Sequence, residues 1–238
     1  MPLALLSASA PAAAPAAGAR ATKRPLPLFY DELRRRLGPQ HWWPAETPFE
    51  VIVGAILTQN TSWSNVERAI ANLRSASLLQ PAALARVRLT RLERLVRPSG
   101  YYRQKAKKLK AFVQFLDREF GGSLDRMFRQ PTAALRERLL AIHGIGPETA
   151  DSILLYAGNH PIFVMDAYTR RILSRHGLAQ PDADYHDAQA LFHDELPREA
   201  RIFNEYHALL VETGKRWCLK TEPRCGECPL GRFLERKA

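Results

Sequence analysis

The sequence is poor in cysteine and has no long apolar run. Only three of its 238 residues are cysteines, and all three lie among the last 21 residues. This usage argues against a disulfide-stabilised scaffold and favours a reducing compartment, so we expect a cytoplasmic protein. No apolar stretch approaches the roughly 20 residues of a membrane helix, and no basic region precedes the apolar start, as it would in a secretory signal. We therefore expect no membrane partner.

Acidic residues are outnumbered by basic ones. The chain has 24 acidic and 35 basic side chains, which gives a formal charge of +11. Positive charge steers a protein towards phosphates and supplies much of its non-specific affinity for nucleic acid, so a polyanionic partner is favoured. The alternative is a basic surface without a dedicated partner.

Period-two alternation of apolar and polar residues, the pattern of half-buried strands, is absent over any sustained stretch. We therefore predict an all-α fold. Residues 1–23 are rich in alanine and proline, and this composition predicts a disordered arm outside the folded part.

Residues 139–171 combine two apolar helical patterns around a glycine pair, in LLAIHGIGPETADSILLYAGNHPIFVMDAYTRR. Gly144 and Gly146 flank Ile145, which we expect to fill the gap between the two helices. Glycine permits a positive φ and a close approach of another backbone. Free amide groups at the start of the second helix suit a phosphate. The pattern predicts a helix-hairpin-helix with an anion site at its turn.

HGIGPETA resembles the helix-hairpin-helix of the endonuclease III superfamily of DNA glycosylases (the helix-hairpin-helix–GPD group). VMDAY resembles the segment that holds the catalytic aspartate of that superfamily, and Asp166 follows Gly146 by 20 residues. The resemblance covers about residues 25–233. It implies two helical lobes with DNA bound in the cleft between them.

The resemblance also implies how the chain divides and what it binds. Residues 47–160 would form a helical barrel lobe that contains the hairpin, and residues 24–46 and 161–238 would form the second lobe. We expect a monomer that binds double-stranded DNA containing damaged bases and that, in a bacterium, associates with the nucleoid. The hairpin residues expected at the DNA are His143, Gly144, Ile145, Gly146, Glu148 and Thr149. Their amides would hold a phosphate directly or through a monovalent cation.

A second resemblance lies after a predicted helix start. Thr47, Pro48 and Glu50 form a capping box with proline at the first helical position, and apolar residues follow on one face. ILTQNTSWSNVERAI then resembles the family segment whose glutamine enters the duplex where the damaged base has left. That role falls on Gln59. The alternative role is to bond the loose carbonyls at the end of its own helix.

Segment 103–120, RQKAKKLKAFVQFLDREF, predicts a strongly amphipathic helix. Its apolar positions include Leu109 and Phe112. Its basic side chains, which we expect on the solvated face, are Arg103, Lys105, Lys107, Lys108 and Lys110.

Two adjacent tryptophans precede a proline in QHWWPAETPFE. They predict either an aromatic plug between lobes or a stacking surface for a flipped base. Together with LTQNTSW and VRPSGYYRQKAK, they make the chain most similar to the 3-methyladenine glycosylases of the endonuclease III type. That similarity implies a base pocket formed by Trp42, Trp43 and Pro44 on one side and Trp63 on the other, with Lys215 nearby. Electron-rich rings suit an alkylated purine, which is positively charged and already a good leaving group.

Removal of a base from deoxyribose passes through a transition state with positive charge on the sugar. A carboxylate stabilises this charge and orients the attacking water. Asp166 is the candidate, although its position before AYTRRIL also suits a plain N-cap. Bifunctional family members carry a lysine nucleophile where this chain has Glu148. Because a carboxylate cannot form an imine, the resemblance implies a monofunctional glycosylase of base excision repair, which leaves an abasic site.

Two other functions remain open at this point. One is a bifunctional glycosylase and abasic-site lyase for oxidised pyrimidines, in which Lys215 would have to supply the amine. The other is a non-catalytic protein that binds damaged DNA, and the presence of Asp166 argues against it.

The three cysteines lie in WCLKTEPRCGECPL. Cys218, Cys225 and Cys228 match the first three positions of the C-x6-C-x2-C-x5-C motif by which many family members hold a [4Fe–4S] cluster, and Leu234 occupies the fourth. The alternatives are a lost cluster, a cluster with a non-cysteine ligand, or zinc with a histidine. A bound group would shape the surrounding basic loop and take no part in the chemistry.

Overall fold

The structure is a computed structural model that describes residues 24–43 and 45–234. Over these ranges the chain forms helices and contains no strand, which confirms the predicted all-α fold. The helices are α1 (Pro25–Leu37), α2 (Pro48–Leu57), α3 (Trp63–Ser75), α4 (Pro81–Arg86), α5 (Leu89–Leu95), α6 (Tyr102–Phe120), α7 (Leu124–Phe128), α8 (Thr132–Leu140), α9 (Pro147–Ser152) with a π-helical turn (Ile153–Ala157), α10 (Ala167–Arg175), α11 (Tyr185–Glu195) and α12 (Ala200–Arg216). The same residues contain no helix long and apolar enough to cross a bilayer. The predicted arm, residues 1–23, and Pro44 of the predicted pocket lie outside the described residues.

Helix α2 lies at the centre of the larger group of helices. Thr47 caps it by accepting a hydrogen bond at 3.2 Å from the Glu50 amide, and Pro48 occupies the first turn, as predicted. Every residue from Phe49 to Leu57 is buried, so α2 is covered on all sides and not on one face alone. Its neighbours are α3, α6, α9 and the π-helical turn. A helix packed in this way holds the following loop, which carries Gln59, in a defined position.

The contacts between helices fall into two groups. Helices α2 to α9 contact mainly one another, and α6 contacts α2, α4, α5 and α7. Helix α12 contacts α1 and α10, and α1 also contacts α11. The π-helical turn contacts both α2 and α12 and so joins the groups. The division of the chain into two lobes near residues 46 and 160 stays a prediction, with which these contacts are compatible.

Helix α6 has the predicted apolar face, but one of its lysines is not where we expected it. Lys105 is 2% exposed, and its ammonium group donates hydrogen bonds to the carbonyl oxygens of Leu57 and Ser99. The last carbonyls of α2 have no partner within their own helix, and Lys105 satisfies one of them. Loss of hydration, together with the charge of Lys108, lowers the pKa of Lys105 to about 8. Lys105 thus joins the end of α2 to the turn before α6.

Candidate active site and DNA interface

The turn between α8 and α9 forms the predicted hairpin. Gly144 has a φ of +83°, and a Cβ there would lie 2.5 Å from the Lys108 side chain, so both conformation and space require glycine. Ile145 is buried as predicted, and its amide donates to the Ile142 carbonyl at 3.0 Å. Gly146 has an ordinary φ of −92° and no atom near its Cβ position, so it leaves an open surface at the start of α9. A phosphate could approach the helix start from this side.

Four of the six hairpin residues expected at the DNA lie at the surface of the protein. His143, Gly144, Gly146 and Glu148 reach the surface, whereas Ile145 and Thr149 are buried. These two side chains support the shape of the hairpin. The expected contact of the hairpin amides with a phosphate stays a prediction.

Gln59 is bound to the hairpin through its side-chain amide. Its Nε2 donates to the Thr149 hydroxyl at 2.8 Å and to the Gly144 carbonyl at 3.2 Å. Its Oε1 accepts a hydrogen bond from Lys108. These bonds link α2 to the hairpin, 85 to 90 residues away in the chain. Entry of Gln59 into a duplex would require them to break.

Asp166 caps α10, and a single carboxylate oxygen carries its contacts. Oδ1 accepts a hydrogen bond from the Thr169 amide at 2.7 Å, and Nε2 of His207 lies 3.7 Å from the same oxygen. The side chain is 14% exposed. Burial raises the pKa of Asp166, but the charge of His207 and the hydrogen bond from the Thr169 amide outweigh it, so the pKa lies below its ordinary value. Asp166 is therefore an N-cap and also an ionised carboxylate at neutral pH.

Tyr156 and His207 lie beside Asp166, although the sequence analysis did not assign them to the site. The Tyr156 hydroxyl is hydrogen bonded to Nδ1 of His207, and the two ring centroids are 5.9 Å apart. His207 is 4% exposed, and its Nε2 has no hydrogen-bond partner among the described residues. The sequence contained one signal for His207. It lies eight residues before Lys215 on α12, so both residues lie on the same side of the helix, and Lys215 was a predicted pocket residue.

Glu148 lies close enough to Asp166 for their charges to interact. Loss of hydration and the negative charge of Asp166 raise the pKa of Glu148 to about 7, and the positive charges of His207 and Arg170 oppose this only in part. Glu148 is nevertheless exposed to solvent. Near neutral pH, Glu148 changes charge while Asp166 remains ionised.

The predicted pocket residues form a cluster of aromatic rings. The Trp43 ring lies 5.6 Å from Trp42, 5.1 Å from Trp63 and 5.0 Å from Tyr156, measured between ring centroids. A Cβ on Gly54 would lie 3.3 Å from Trp43 and 3.6 Å from Trp63, so the bare backbone of α2 lets both rings pack on it. The structure brings the three tryptophans together. The edge-to-face contact of Trp43 and Trp63 leaves no room for a base between them in this conformation.

The edge of this cluster has polar features. The Lys215 ammonium lies 5.5 Å from the centroid of the Trp42 ring, and Lys215 is exposed. The indole N–H groups of Trp42 and Trp43 are buried and have no hydrogen-bond partner in the described part of the chain. Buried donors almost always have an acceptor, so two unpaired ones side by side indicate where a polar ligand atom would be stabilised.

Buried polar side chains hold the segment that leads to Asp166. Asp151 is fully buried, and its carboxylate accepts hydrogen bonds from Arg136 at 2.7 and 3.2 Å, Tyr185 at 2.9 Å and Gln189 at 2.8 Å. Tyr185 also accepts a hydrogen bond from the Met165 amide at 3.2 Å. This network connects the hairpin helix α9 to the residue directly before Asp166, and so it fixes their relative positions.

Tyr101 is another surface feature that the sequence analysis did not single out. It is 69% exposed and has a φ of +42°, which is uncommon for a bulky residue. Lys105 donates one hydrogen bond to the Ser99 carbonyl, in the turn that carries Tyr101, and another to the Leu57 carbonyl at the end of α2. These bonds connect the turn to the segment that leads to Gln59. An exposed aromatic ring on a constrained turn is suited to ligand contact. In the sequence, the turn residues of PSGYY (98–102) could have indicated this exposed position.

The three predicted metal ligands line one small cavity. Its lining includes Cys218, Cys225, Cys228, His176, Arg175 and Leu234, and its volume is about 20 Å³, the space of about one water molecule. Leu234 offers no ligand atom, and Arg175 donates to the Cys218 sulphur at 3.1 Å. Within residues 24–43 and 45–234, no three cysteine, histidine or carboxylate groups are arranged to bind one ion. The residues present do not fit a four-thiolate [4Fe–4S] cluster, nor do they form a ready zinc site.

Known proteins match this chain along most of its length. The family model described as HhH-GPD superfamily base excision DNA repair protein matches residues 53–198. A predicted DNA repair glycosylase of Methanocaldococcus jannaschii is 48% identical over 207 residues, which are 86% of this chain and 93% of that protein. Endonuclease III of Thermotoga maritima is 30% identical over 188 residues, covering 79% and 83% of the two chains. The structure of Helicobacter pylori 3-methyladenine DNA glycosylase bound to 1,N6-ethenoadenine has a TM-score of 0.71 and 29% identity, covering 79% of this chain and 96% of that one.

The matched range contains Gln59, the hairpin and Asp166. Trp42, Trp43, His207 and Lys215 lie outside that range. The formal charge of +11 on the whole chain favours binding to DNA. The chain belongs to the helix-hairpin-helix–GPD superfamily of base excision DNA repair proteins, and it is a DNA glycosylase, an enzyme that acts on N-glycosyl bonds.

Proposed function

We propose that the protein is a monofunctional DNA N-glycosylase that removes an alkylated purine such as 3-methyladenine. The observation that carries this proposal is the aromatic cluster around Trp43, which reaches Asp166 through Tyr156 and His207. The aromatic rings that we propose as the base pocket and an ionised carboxylate are thus linked, and the resemblance assigns Glu148 to the position of the lysine nucleophile.

Asp166 is suited to stabilise positive charge on the sugar. Its Oδ1 is held by the Thr169 amide, which leaves Oδ2 for the reaction. An ionised carboxylate fixed in this way stabilises an oxocarbenium-like transition state and orients a water molecule towards the sugar carbon. An alkylated purine departs without protonation, so the site needs no general acid.

The pocket chemistry favours a cationic, flat base. Once Trp43 and Trp63 separate, a purine would stack between electron-rich rings, which stabilise positive charge. The unpaired indole N–H groups of Trp42 and Trp43 would then meet acceptor atoms on the base. The similarity to a 3-methyladenine glycosylase bound to a modified adenine agrees with this choice of lesion.

The lysines near the site support hydrolysis without a lyase step. Lys108 is bonded to Gln59, Lys105 is bonded to backbone carbonyls, and Lys215 lies over Trp42. None of these amines contacts Asp166, whereas Glu148 interacts with it electrostatically. A Schiff base with the sugar therefore has no positioned nucleophile among these residues.

DNA would bind as double-stranded substrate to a monomeric enzyme across the hairpin face. The start of α9 at Gly146 would hold a phosphate, directly or through a monovalent cation. Gln59 would leave the hairpin to occupy the space of the flipped base. Tyr101, exposed on its turn, would contact the neighbouring bases or the opposite strand.

Base release from a methylated duplex tests this function directly, for the wild type and Asp166→Asn. We expect free 3-methyladenine, strand cleavage only after alkali, and no release by the variant. Cleavage without alkali, with a borohydride-trapped adduct, would instead show a bifunctional enzyme, and Lys215 would then be the nucleophile to test. Absence of release would reject alkylated purines, and release from duplexes with uracil, mismatched or oxidised bases would identify the lesion.

A further inference from the structure

His207 is a buried histidine that the hydrolysis described above does not use. It lies on α12 with 4% exposure, and its Nε2 is 3.7 Å from Oδ1 of Asp166. That distance exceeds the 2.7–3.2 Å of a hydrogen bond, and Nε2 has no other partner among the described residues. A buried nitrogen that faces a carboxylate without bonding to it requires an explanation.

The Tyr156 hydroxyl can select the tautomer of His207 by donating to Nδ1. Burial and the negative charges of Asp166 and Glu148 raise the pKa of Tyr156 well above its ordinary value, so its hydroxyl remains protonated. That hydroxyl is hydrogen bonded to Nδ1. When it donates to Nδ1, the neutral ring must carry its proton on Nε2, and a charged ring carries a proton there in any case. In both charge states an N–H group therefore faces Asp166.

The same tyrosine also contacts the predicted pocket. Its ring centroid lies 5.0 Å from that of Trp43, which contacts Trp63 in turn. A base can enter only if Trp43 and Trp63 separate. Tyr156 thus contacts the ring that a base displaces and also the imidazole that faces Asp166.

We propose that His207 is a positioning residue, which donates from Nε2 to Oδ1 of Asp166 when a base occupies the pocket and directs the other carboxylate oxygen at the sugar. Tyr156 holds the imidazole in the tautomer that this bond requires. The inference rests on the proposed role of Asp166 and deepens it. If the imidazole of His207 moves roughly 0.5–1 Å towards Asp166, the separation of 3.7 Å between Nε2 and Oδ1 becomes a hydrogen-bond distance.

The charged groups around Asp166 come from three packed elements and from its own helix. They are His207 on α12, Glu148 on α9 and Tyr156 in the π-helical turn, and Arg170 on α10 acts on Glu148 in turn. Of these, His207 lowers the pKa of the carboxyl through its positive charge. Loss of His207 therefore raises the pKa of Asp166, and the carboxylate is neutralised at a higher pH than in the wild type.

Two readouts test the role of His207. The first is the titration of the Asp166 carboxyl carbon by NMR in the free protein, with Asp166→Asn used for assignment. The second is single-turnover base release from methylated duplex as a function of pH. For His207→Phe we expect the carboxyl to titrate at higher pH, the acid limb of the rate profile to shift the same way, and the maximal rate to fall about tenfold or more. Duplex affinity should stay within about twofold.

Conservative variants separate positioning from packing. His207→Gln retains an N–H group of similar reach and should recover most of the rate, whereas His207→Phe fills the space without a donor. Tyr156→Phe keeps the ring on Trp43 and should give a smaller shift of the Asp166 titration in the same direction. It also serves as the second variant if His207→Phe does not fold.

An Asp166 titration that is identical in the wild type, His207→Phe and Tyr156→Phe would overturn the inference, whatever the activity. A shifted titration in a protein that releases no base would support the contact between His207 and Asp166 while rejecting the proposed lesion. Equal losses in His207→Gln and His207→Phe would assign His207 to packing alone.

Discussion

The indole rings of Trp43 and Trp63 meet edge to face over Gly54, with centroids 5.1 Å apart and planes at 87°. In this conformation the predicted pocket is closed. Stacking on a flipped base would replace this contact with one of comparable size, so the free-energy cost of separating the rings is largely recovered when a base enters.

Trp63→Ala should reduce base release far more than duplex binding. Stacking on an aromatic ring contributes roughly 1–3 kcal/mol per base, which corresponds to about 5- to 160-fold in kcat/KM. Non-specific duplex binding depends on phosphate contacts and should change little. Single-turnover release and binding to unmodified duplex, measured at one salt concentration, check this.

Trp217→Ala is the matched control, because it removes an indole that does not contact the Trp43 cluster. It should preserve base release. Equal loss of release and binding in Trp63→Ala would show that Trp63 is a packing residue and no part of the pocket.

Asp166→Asn and Asp166→Ala should both abolish base release but should differ in stability. Asparagine still caps α10 by accepting from the Thr169 amide, whereas alanine cannot and should cost about 1 kcal/mol. Thermal unfolding combined with base release checks both effects. Retained activity in the asparagine variant would remove Asp166 from the reaction.

Glu148→Lys should introduce strand cleavage at abasic sites. Glu148 interacts electrostatically with Asp166, and the family resemblance assigns its position to the lysine of bifunctional enzymes, so we expect an amine there to reach the sugar carbon. Borohydride trapping on abasic duplex should give a covalent adduct with this variant and none with the wild type. Glu148→Arg carries a charge without a nucleophilic amine and should give no adduct.

Glu148 should also make stability depend on pH. Its folded-state pKa is raised from 4.5 to about 7, so between these values the folded protein binds more protons than the unfolded chain. Its contribution to the free energy of unfolding is therefore present below about pH 4.5 and is lost as pH rises through 7. Glu148→Gln has no carboxyl to ionise, so it should not lose stability in this pH range. The melting temperature of the variant minus that of the wild type should therefore be larger at pH 8 than at pH 5. A difference that is equal at the two pH values would contradict the shift.

Lys105→Met should destabilise the fold by about 2–4 kcal/mol, because it leaves the Leu57 and Ser99 carbonyls without their buried donor. Lys107→Met, on the exposed side of the same helix, should stay within about 0.5 kcal/mol. Denaturant unfolding measures both. Equal effects would mean that Lys105 is bonded to water and not to the protein.

Features set by neighbours in sequence could be predicted from the sequence. The start of α2 depends on Thr47 and Glu50, and the cap of α10 depends on Asp166 and Thr169, three residues apart in each case. The positive φ of Gly144 likewise follows from its place in a tight turn. Local hydrogen bonds of this kind are encoded in short patterns.

Features set by distant partners could not be predicted in this way. Lys105 bonds to Leu57, 48 residues away, and Tyr156 bonds to His207, 51 residues away. The closed contact of Trp43 with Trp63 depends on a bare position in α2 at Gly54. A single sequence shows residue types and spacing but not which helices meet, so the polar partners within the core become visible only in the fold.

The hydrogen bonds of Asp151 have a geometric consequence for substrate choice. Because they connect α9 to the segment before Asp166, they fix the distance between the start of α9 and the Asp166 carboxylate. A duplex bound through one phosphate at the proposed site would place only the sugar at that distance along the strand beside Asp166. The position of the attacked nucleotide relative to that phosphate would then be set by the protein backbone and not by the identity of the base.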